Sequence, residues 1–243
     1  MSYQSVFQRY ELKYLLTREQ QETVLRGMAD HMALDQYGKT VIRNVYYDTK
    51  TYLLIRRSIE KPAYKEKLRL RSYAQAAPGT PVFVELKKKF DSVVYKRRLS
   101  MEEQQAMRWL QGEEACNLDT QIFREIDYFR KFYGNLRPVV FLSYERQAYY
   151  AKDGSDFRVT FDDKILCRET DMTLTAPVGG SSILPEDKVL MEIKCSGGIP
   201  LWMANILSKE KLYKTSFSKY GTAYQTLIYP KLKEETSYAG KPV

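Results

Sequence analysis

Charged and apolar residues alternate along several short segments of this chain, and this alternation limits its folding more than any other feature. In segment 64–73 every second position is basic, and apolar residues such as Leu68 and Leu70 fall between; the basic residues are Lys65, Lys67, Arg69 and Arg71. Successive side chains of a β-strand point to opposite faces. The segment is therefore predicted to be a strand with one fully basic face and one largely apolar face.

Seven further segments share this strand-like composition: 7–16, 41–48, 81–89, 92–100, 138–150, 156–162 and 188–196. Helix-like patterns occupy 17–33, 50–57, 101–110 and 119–133, and a last helix is predicted after Ser218. Thr17 and Gln20 form a capping-box pattern, which predicts the start of the first helix. About eight strands with flanking helices predict an α+β fold, in one domain that spans residues 1–243.

The helices indicate which way the strand faces point. One charged strand face alone is ordinarily solvated. The first helix, however, carries apolar residues at 24, 25, 28 and 32, which require an apolar sheet surface to pack on. We therefore expect a closed antiparallel β-barrel with its apolar faces outward under the helices and its charged faces lining a basic tunnel. The predicted tunnel residues are Arg9, Glu11, Lys13, Lys65, Lys67, Arg69, Arg71, Glu85, Lys87, Lys96, Arg98, Tyr144, Arg146, Arg158, Thr160, Asp162, Glu192 and Lys194.

A tunnel with this many cations predicts an anionic ligand. At an effective dielectric constant of about 20, their mutual repulsion amounts to several kcal/mol in total. The carboxylates Glu11, Glu85, Asp162 and Glu192 offset only part of the charge, and a row of phosphates would offset the rest. Arginine binds phosphate in a bidentate manner, whereas lysine contributes a mobile point charge. Carboxylates combined with substrate phosphates are a usual site for Mg²⁺ or Mn²⁺.

Composition narrows the classes of function. His31 is the single histidine, which argues against a zinc site and against a Ser-His-Asp triad with any other histidine. Cys116, Cys167 and Cys195 form no CxxC pair and are interpreted as buried thiols in a reducing compartment. With neither a signal-peptide pattern nor a long apolar run, we expect a soluble, cytoplasmic protein that does not insert into membranes.

The net charge of +9 favours an anionic partner but does not by itself separate nucleic acid, lipid and phosphorylated small molecules. Single-stranded nucleic acid is usually bound by exposed aromatic residues interleaved with basic ones on an open surface. The inward arrangement of cations beside carboxylates instead predicts phosphate recognition without nucleic acid.

The sequence resembles the VTC domain, the catalytic domain of the vacuolar transporter chaperone complex and its bacterial relatives, within the triphosphate tunnel metalloenzymes of the CYTH-like superfamily. The resemblance covers residues 6–229. It rests on ten motifs in the order of the family: RYELKY (9–14), NVYYDT (44–49), KLRLRSY (67–73), VFVELKKK (82–89), YKRRL (95–99), SYERQAYY (143–150), RVTFDD (158–163), LMEIKC (190–195), IPLW (199–202) and FSKYGTAY (217–224).

This resemblance implies a polyphosphate polymerase that transfers the γ-phosphate of ATP to a growing polyphosphate chain, with Mn²⁺ or Mg²⁺ as cofactor. Its small-molecule partners would be ATP, inorganic polyphosphate, pyrophosphate and phosphate. By position, the implied catalytic residues are Lys13, Arg69, Arg71, Lys87, Lys96, Arg146 and Lys219. A second implied phosphate-binding set comprises Arg158, Tyr144, Lys194, Ser218, Arg9, Arg98 and Lys67. Glu192 is the implied metal ligand, with Glu11 as a further candidate.

Two positions differ from the family pattern. Arg9 stands where the first glutamate of the ExExK signature is expected, which leaves Glu11 and Lys13, and Ser216 stands where a lysine is expected. No SPX-like regulatory domain is recognised, so coupling to transport would need a membrane-protein partner. Two alternatives to the polymerase stay open: a tunnel triphosphatase, in which water is the attacking group, and a non-catalytic polyphosphate-binding module.

Overall fold

The computed structural model describes residues 10–91 and 93–239, with the backbone alone for 235–239. A ten-stranded antiparallel sheet dominates the described part of the chain. Its strands are β1 (Tyr10–Thr17), β2 (Met32–Asp48), β3 (Tyr64–Ser72), β4 (Pro81–Phe90), β5 (Val93–Glu102), β6 (Arg137–Ala151), β7 (Arg158–Arg168), β8 (Ser181–Ser182), β9 (Lys188–Cys195) and β10 (Lys214–Thr215). The strand order is β10-β1-β9-β7-β6-β2-β3-β4-β5, and β8 pairs with β7.

The described helices are α1 (Arg18–Met28), α2 (Leu53–Ile59), α3 (Glu103–Gln111), α4 (Gln121–Tyr133), α5 (Leu201–Lys209), α6 (Lys219–Ala223), a π-helical turn (Tyr224–Ile228) and α7 (Tyr229–Ala239). Four of them, α1, α3, α4 and α6, begin at residues whose side chains cap them. Thr17 caps α1 through the predicted capping box with Gln20. Thr120 and Ser218 cap α4 and α6 through their side-chain oxygens. None of the helices in the described residues has the length and apolar character needed to cross a membrane.

Apolar strand residues lie beneath the outer helices, as the alternation predicts. Leu68 and Leu70 of β3 and Val84 of β4 are fully buried in one core cluster with Trp109 of α3 and Ile126 of α4. A second cluster packs α1 and α5 against β1, β7 and β9. Burial of a large apolar side chain contributes about 1.5–3 kcal/mol. These two clusters therefore hold α1, α3, α4 and α5 on the face of the sheet opposite that of Lys67, Arg69 and Arg71.

The C-terminal helical segment packs on the opposite face, the one that carries the charged residues. The Tyr220 ring stacks on Tyr46 of β2 with 4.7 Å between ring centroids, and its hydroxyl donates a hydrogen bond of 2.9 Å to Asp48. Leu142 and Leu190 belong to the same buried cluster. The expectation that all helices lie outside the sheet is therefore wrong for α6, because one end of the charged face is apolar and provides a packing surface.

The predicted closed barrel is also not confirmed. Among the described residues, β10 at one border of the sheet forms no hydrogen-bonded ladder with β5 at the other. With only two residues, β10 has few backbone groups to offer such a ladder. What the structure shows is an α+β fold with a large antiparallel sheet whose borders stay unpaired within the described residues.

Several element boundaries differ from those predicted. The helix predicted over 17–33 ends at Met28, and β2 begins at Met32 rather than at 41. The strand predicted over 156–162 continues to Arg168. Helix α5 and the short strands β8 and β10 were not predicted, because short elements have weak sequence periodicity. Residues 7–9 of the first predicted strand lie outside the described residues.

Candidate functional site

Antiparallel pairing aligns the charged positions of neighbouring strands on one face of the sheet. Glu85 of β4 lies between Arg69 of β3 and Arg98 of β5. In the other half of the sheet, among strands far from β4 in the strand order, Glu192 of β9 lies opposite Lys13 of β1. Directly opposed residues of antiparallel strands share a face with their Cβ atoms about 5 Å apart. The register therefore gathers the alternating charged positions into one surface.

Glu85 is the centre of the first charge cluster, and its side chain is only 1% exposed. Its carboxylate accepts hydrogen bonds from Arg69 (3.0 and 2.8 Å) and Arg98 (2.8 and 2.5 Å), and it pairs with Lys96 at 2.7 Å. Burial alone would raise the pKa of Glu85, but Arg69, Arg71 and Lys96 outweigh it and hold the pKa far below its usual range. One ionised carboxylate thus orients several cations.

Glu192 and Asp162 form the second charge cluster. Asp162 is fully buried and accepts two hydrogen bonds from Arg146, at 2.5 and 2.6 Å, in a bidentate pair. Lys219 of α6 lies 2.5 Å from Asp162 and 3.2 Å from Glu192. Helix α6 therefore brings its lysine directly into the charged surface.

Glu192 itself is held ionised by several cations. Lys194 contacts its carboxylate at 2.9 Å, and Lys13 and Arg146 each approach it to 3.6 Å. Burial would raise the pKa of Glu192, but Lys194, Lys219 and the other cations keep the pKa well below the ordinary value. At neutral pH Glu192 is consequently a carboxylate.

Side chains of β4 and β1 meet across the concave surface, although these strands are far apart in the sheet. Lys87 donates to Glu11 at 3.0 Å, and Lys13 lies 3.2 Å from the same carboxylate. The charge of Lys87 is the main reason that the pKa of Glu11 falls well below its usual value. The charged faces of the two halves of the sheet thus face one another, and we call the surface between them the basic cleft.

Lys67 differs from those cations of the cleft that pair with a carboxylate. Its amino group donates to the Ser218 hydroxyl at 2.8 Å, and the same hydroxyl accepts from the Gly221 backbone at 3.2 Å. Burial, reinforced by the charges of Lys13 and Lys87, lowers the pKa of Lys67 to about 7. In the described part of the chain, Lys67 has no ion pair with a carboxylate.

The basic cleft carries a large excess of positive charge. Among the described residues, eleven cations lie around the carboxylates of the cleft: Lys13, Lys67, Arg69, Arg71, Lys87, Lys96, Arg98, Arg146, Arg158, Lys194 and Lys219. Its four carboxylates are Glu11, Glu85, Asp162 and Glu192. With every group ionised, seven positive charges are left uncompensated. An arrangement of this kind can bind and neutralise a row of phosphate oxygens.

All but one of the predicted site residues lie in the basic cleft. Tyr144 lies between two cations: Arg71 donates to its hydroxyl at 3.1 Å, and the Arg146 guanidinium lies 5.1 Å from its ring centroid. Ser218 is both the cap of α6 and a partner of Lys67. The exception is Arg9, which lies outside the described residues. Their roles in binding and catalysis stay predictions.

Two further residues orient the arginines and were not predicted. Tyr46 accepts a hydrogen bond of 2.9 Å from Arg69, and Asn44 accepts one of 2.9 Å from Arg71. Asn44 is fully buried and also donates to the Leu142 carbonyl at 3.1 Å. The alternation in segment 41–48 already places Asn44 and Tyr46 on one face, and this signal could have identified them.

The carboxylates of the cleft can supply some of the ligands of a metal site. The described residues contain no group of three or more acidic, histidine or cysteine side chains suited to hold a metal alone. Glu11 and Glu192 share Lys13 as a neighbour, at 3.2 and 3.6 Å, and the charge of Glu192 raises the pKa of Glu11 against the larger effect of Lys87. Two nearby carboxylates fit a magnesium-type or manganese-type ion whose other ligands are phosphates and water.

Comparisons with known proteins give a family and a fold. The model of the VTC domain family matches residues 8–228. A candidate adenylate cyclase from Bacillus halodurans superposes with a TM-score of 0.54 at 13% identity, covering 91% of this chain and 99% of that one. A candidate adenylyl cyclase from Hippeastrum, described as having a dominant triphosphatase activity, superposes with a TM-score of 0.52 at 12% identity, covering 90% and 95%. No curated protein matches the sequence significantly.

Proposed function

This chain belongs to the VTC domain family, and from that premise we propose that it is a polyphosphate polymerase, which transfers the γ-phosphate of ATP to the end of a polyphosphate chain. The observation that carries the proposal is the basic cleft, where eleven cations face one another around four carboxylates. A phosphate chain of many charges matches this excess better than a single small anion does.

Phosphoryl transfer suits such a site because it depends mainly on positioning and on charge stabilisation. Arg69 and Arg146 would bind phosphate oxygens, and Glu85 and Asp162 already hold their guanidinium groups in fixed orientations. Lys219, fixed by Asp162 and Glu192, would neutralise a further oxygen. Because these groups are oriented before the substrate arrives, little reorganisation is needed as charge develops.

Glu192, assisted by Glu11, would hold a Mn²⁺ or Mg²⁺ ion together with the substrate phosphates. When bound, the ion would supply additional positive charge to the substrate phosphates. The cations around Glu192 keep its carboxylate ionised at neutral pH, which a metal ligand requires.

In the proposed reaction the terminal phosphate of the growing chain attacks the γ-phosphorus of ATP, the bond from that phosphorus to the β–γ bridging oxygen breaks, and ADP leaves. The attacking oxygen is already anionic, so the site needs no general base to activate it. If water attacked instead, the same cleft would be a triphosphatase, the activity described for the Hippeastrum protein whose fold this chain shares. We take triphosphatase activity as the second candidate function.

We further propose that the protein acts in the cytoplasm as one domain. Its substrate and product are charged molecules that do not cross a bilayer unaided. Export of the polymer would therefore require a membrane-protein partner.

The product formed from ATP tests the proposal. Purified protein is incubated with ATP and Mn²⁺, or with ATP and Mg²⁺, and the products are separated on a gel. A ladder of long-chain polyphosphate supports the polymerase, and free phosphate without polymer supports the triphosphatase. Neither product would indicate a polyphosphate-binding module and would contradict both enzymatic assignments.

Glu192→Gln tests the proposed metal ligand. The substitution removes the ligand charge, so we expect turnover of ATP to be lost while binding of tripolyphosphate is partly retained. Glu22→Gln is the control, because Glu22 lies on the outer helix α1 with its side chain 71% exposed. Turnover measured under saturating metal gives the result. Unchanged turnover in Glu192→Gln would show that Glu192 is not a metal ligand.

A further inference from the structure

The two ends of the basic cleft differ in chemistry. At one end, the residues on the cleft face of β3 and β4 are lysines: Lys65 lies opposite Lys89, and Lys67 lies opposite Lys87. The neighbouring aromatic residue Tyr64 belongs to the other face, where its hydroxyl donates to Glu66. In the described residues, the cleft face of β3 and β4 at this lysine end therefore presents point charges without aromatic rings.

The other end combines arginines with aromatic rings. Tyr73 follows the last residue of β3, and its ring packs edge-on against Phe83 of β4 with 5.8 Å between centroids. The Arg98 guanidinium lies 4.5 Å from the Phe83 ring centroid and donates to the Tyr73 hydroxyl at 2.6 Å. Tyr73 is nevertheless 43% exposed, so a ligand can reach it.

A second ring and a second arginine lie at the same end. The Arg158 guanidinium of β7 stacks on Tyr150 of β6 at 4.4 Å from the ring centroid, and Tyr150 is 44% exposed. Burial lowers the pKa of Arg158, and both Tyr150 and Tyr73 oppose that shift, so the two rings lie within electrostatic reach of one guanidinium. The buried Nε atom of Arg158 has no hydrogen-bond partner among the described residues.

Neither ring offers a favourable contact to a phosphate chain that carries no base. The face of an aromatic ring carries partial negative charge, so it repels phosphate oxygens and attracts cations or other π-systems. An exposed ring beside an arginine is, in contrast, a common platform for a nucleobase, whose stacking contributes about 1–3 kcal/mol. The aromatic end therefore matches a ligand that carries both a base and phosphates.

We propose that the nucleobase of the nucleoside triphosphate stacks on Tyr73 and Tyr150, with its phosphates directed toward the lysine end of the cleft. This inference rests on the proposed function and adds an orientation to it. Arg98 and Arg158 would bind the phosphates nearest the nucleoside, and the growing chain would occupy the lysine end. Because stacking is tolerant of base identity, ATP and GTP should bind with similar affinity.

Comparison of ATP with inorganic tripolyphosphate tests the base platform directly. Both ligands carry three linked phosphates, but only ATP carries a base. Calorimetric titrations without divalent metal would measure both affinities in Tyr73→Ala and in Tyr150→Ala. We expect each substitution to weaken ATP binding about tenfold, the equivalent of one lost stacking contact. The affinity for tripolyphosphate should change by less than about twofold, because both substitutions keep the cations that contact its phosphates.

Three control variants separate stacking from other effects. Tyr73→Phe and Tyr150→Phe keep the rings and should retain ATP affinity, although Tyr73→Phe loses the hydrogen bond from Arg98. Tyr10→Ala removes a ring of similar exposure, 47%, on the opposite face of β1, and should affect neither ligand. Circular dichroism of each variant would confirm that it is folded.

The outcomes distinguish the base platform from the proposed function. If both alanine variants weaken ATP and tripolyphosphate equally, the rings merely support the arginines and the platform is refuted. If they weaken neither ligand, the base lies elsewhere and the platform is again refuted. If wild-type protein binds neither ATP nor tripolyphosphate, the proposed function is refuted, and the base platform, which rests on it, is refuted as well.

Discussion

Individual cations of the cleft are held in two different ways. Arg69 and Arg146 each have a buried carboxylate partner, which keeps the guanidinium group ionised and correctly oriented. Lys67 has the Ser218 hydroxyl instead, and its pKa is lowered to about 7 by burial and by neighbouring lysines. The arginines therefore form a permanent charge pattern, whereas the charge of Lys67 depends on pH and on the ligand.

Lys67 should take up a proton when phosphates bind. At pH 8 the amino group is mostly neutral in the free protein, since its pKa is about 7, and nearby phosphates would raise that pKa. Calorimetry of tripolyphosphate binding in buffers of different ionisation enthalpy would measure the uptake. Affinity should accordingly fall as the pH rises above 7. In the free protein, this lysine should make the free energy of unfolding increase between pH 7 and pH 10.5, because only the unfolded state stays protonated there.

Lys67→Arg is the matched variant for this prediction. A guanidinium group is already protonated at pH 8, so proton uptake should decrease while the positive charge is kept. Lys164→Arg, which alters an exposed lysine paired with Glu145, should leave the uptake unchanged. Equal uptake in wild-type protein and Lys67→Arg would show that the proton goes to another group.

At the element scale, helix α6 links the fold to the cleft. Its apolar side packs on Tyr46 and the end of the charged face, and its first residue, Lys219, reaches Asp162 and Glu192. Ser218 caps the helix and also accepts from Lys67, while the preceding carbonyl of Phe217 accepts from Lys13 at 2.9 Å. The positions of these cleft cations consequently depend on the packing of this helix.

Ser218→Ala should therefore affect both stability and binding. Loss of the cap should cost about 1 kcal/mol in the free energy of unfolding. Loss of the Lys67 partner should also weaken tripolyphosphate binding. Thr17→Ala removes an equivalent cap from α1, whose apolar side packs away from the cleft, and should cost similar stability without changing affinity. Urea unfolding and calorimetric titration would measure the two effects. Equal affinities in both variants would contradict the proposed link.

At the scale of the whole molecule, the excess charge of the cleft opposes folding until an anion binds. The chain has a net charge of +9, and seven of the uncompensated positive charges face one another in the cleft when every group there is ionised. Apolar packing under the outer helices must offset this repulsion in the free protein. A ligand that neutralises the cleft should therefore stabilise the entire fold.

Tripolyphosphate should raise the melting temperature far more than the same concentration of single phosphate. A ligand at one hundred times its Kd adds about 2.7 kcal/mol to the free energy of unfolding. Thermal melts at matched ionic strength would measure the difference, and added salt should reduce it because screening weakens partly exposed charge interactions. The same melting temperature with both anions would argue against a cleft built for linked phosphates.

Much of the site was predictable because strand alternation is a local property. The period of two assigns Lys67, Arg69 and Arg71 to one face whatever the rest of the chain does. The capping-box pattern at Thr17 and the helix predicted after Ser218 are equally local, and both are confirmed. The sequence by itself thus determined which residues share a face and where two helices begin.

Only the tertiary structure decided which faces meet. The contact between Lys87 and Glu11 joins residues 76 positions apart on strands that are not neighbours in the sheet. The borders of the sheet, unpaired in the described residues, and the position of α6 on the charged face depend likewise on strand order and twist. These are properties of long-range packing, in which one strand's position depends on all the others, so no local pattern specifies them.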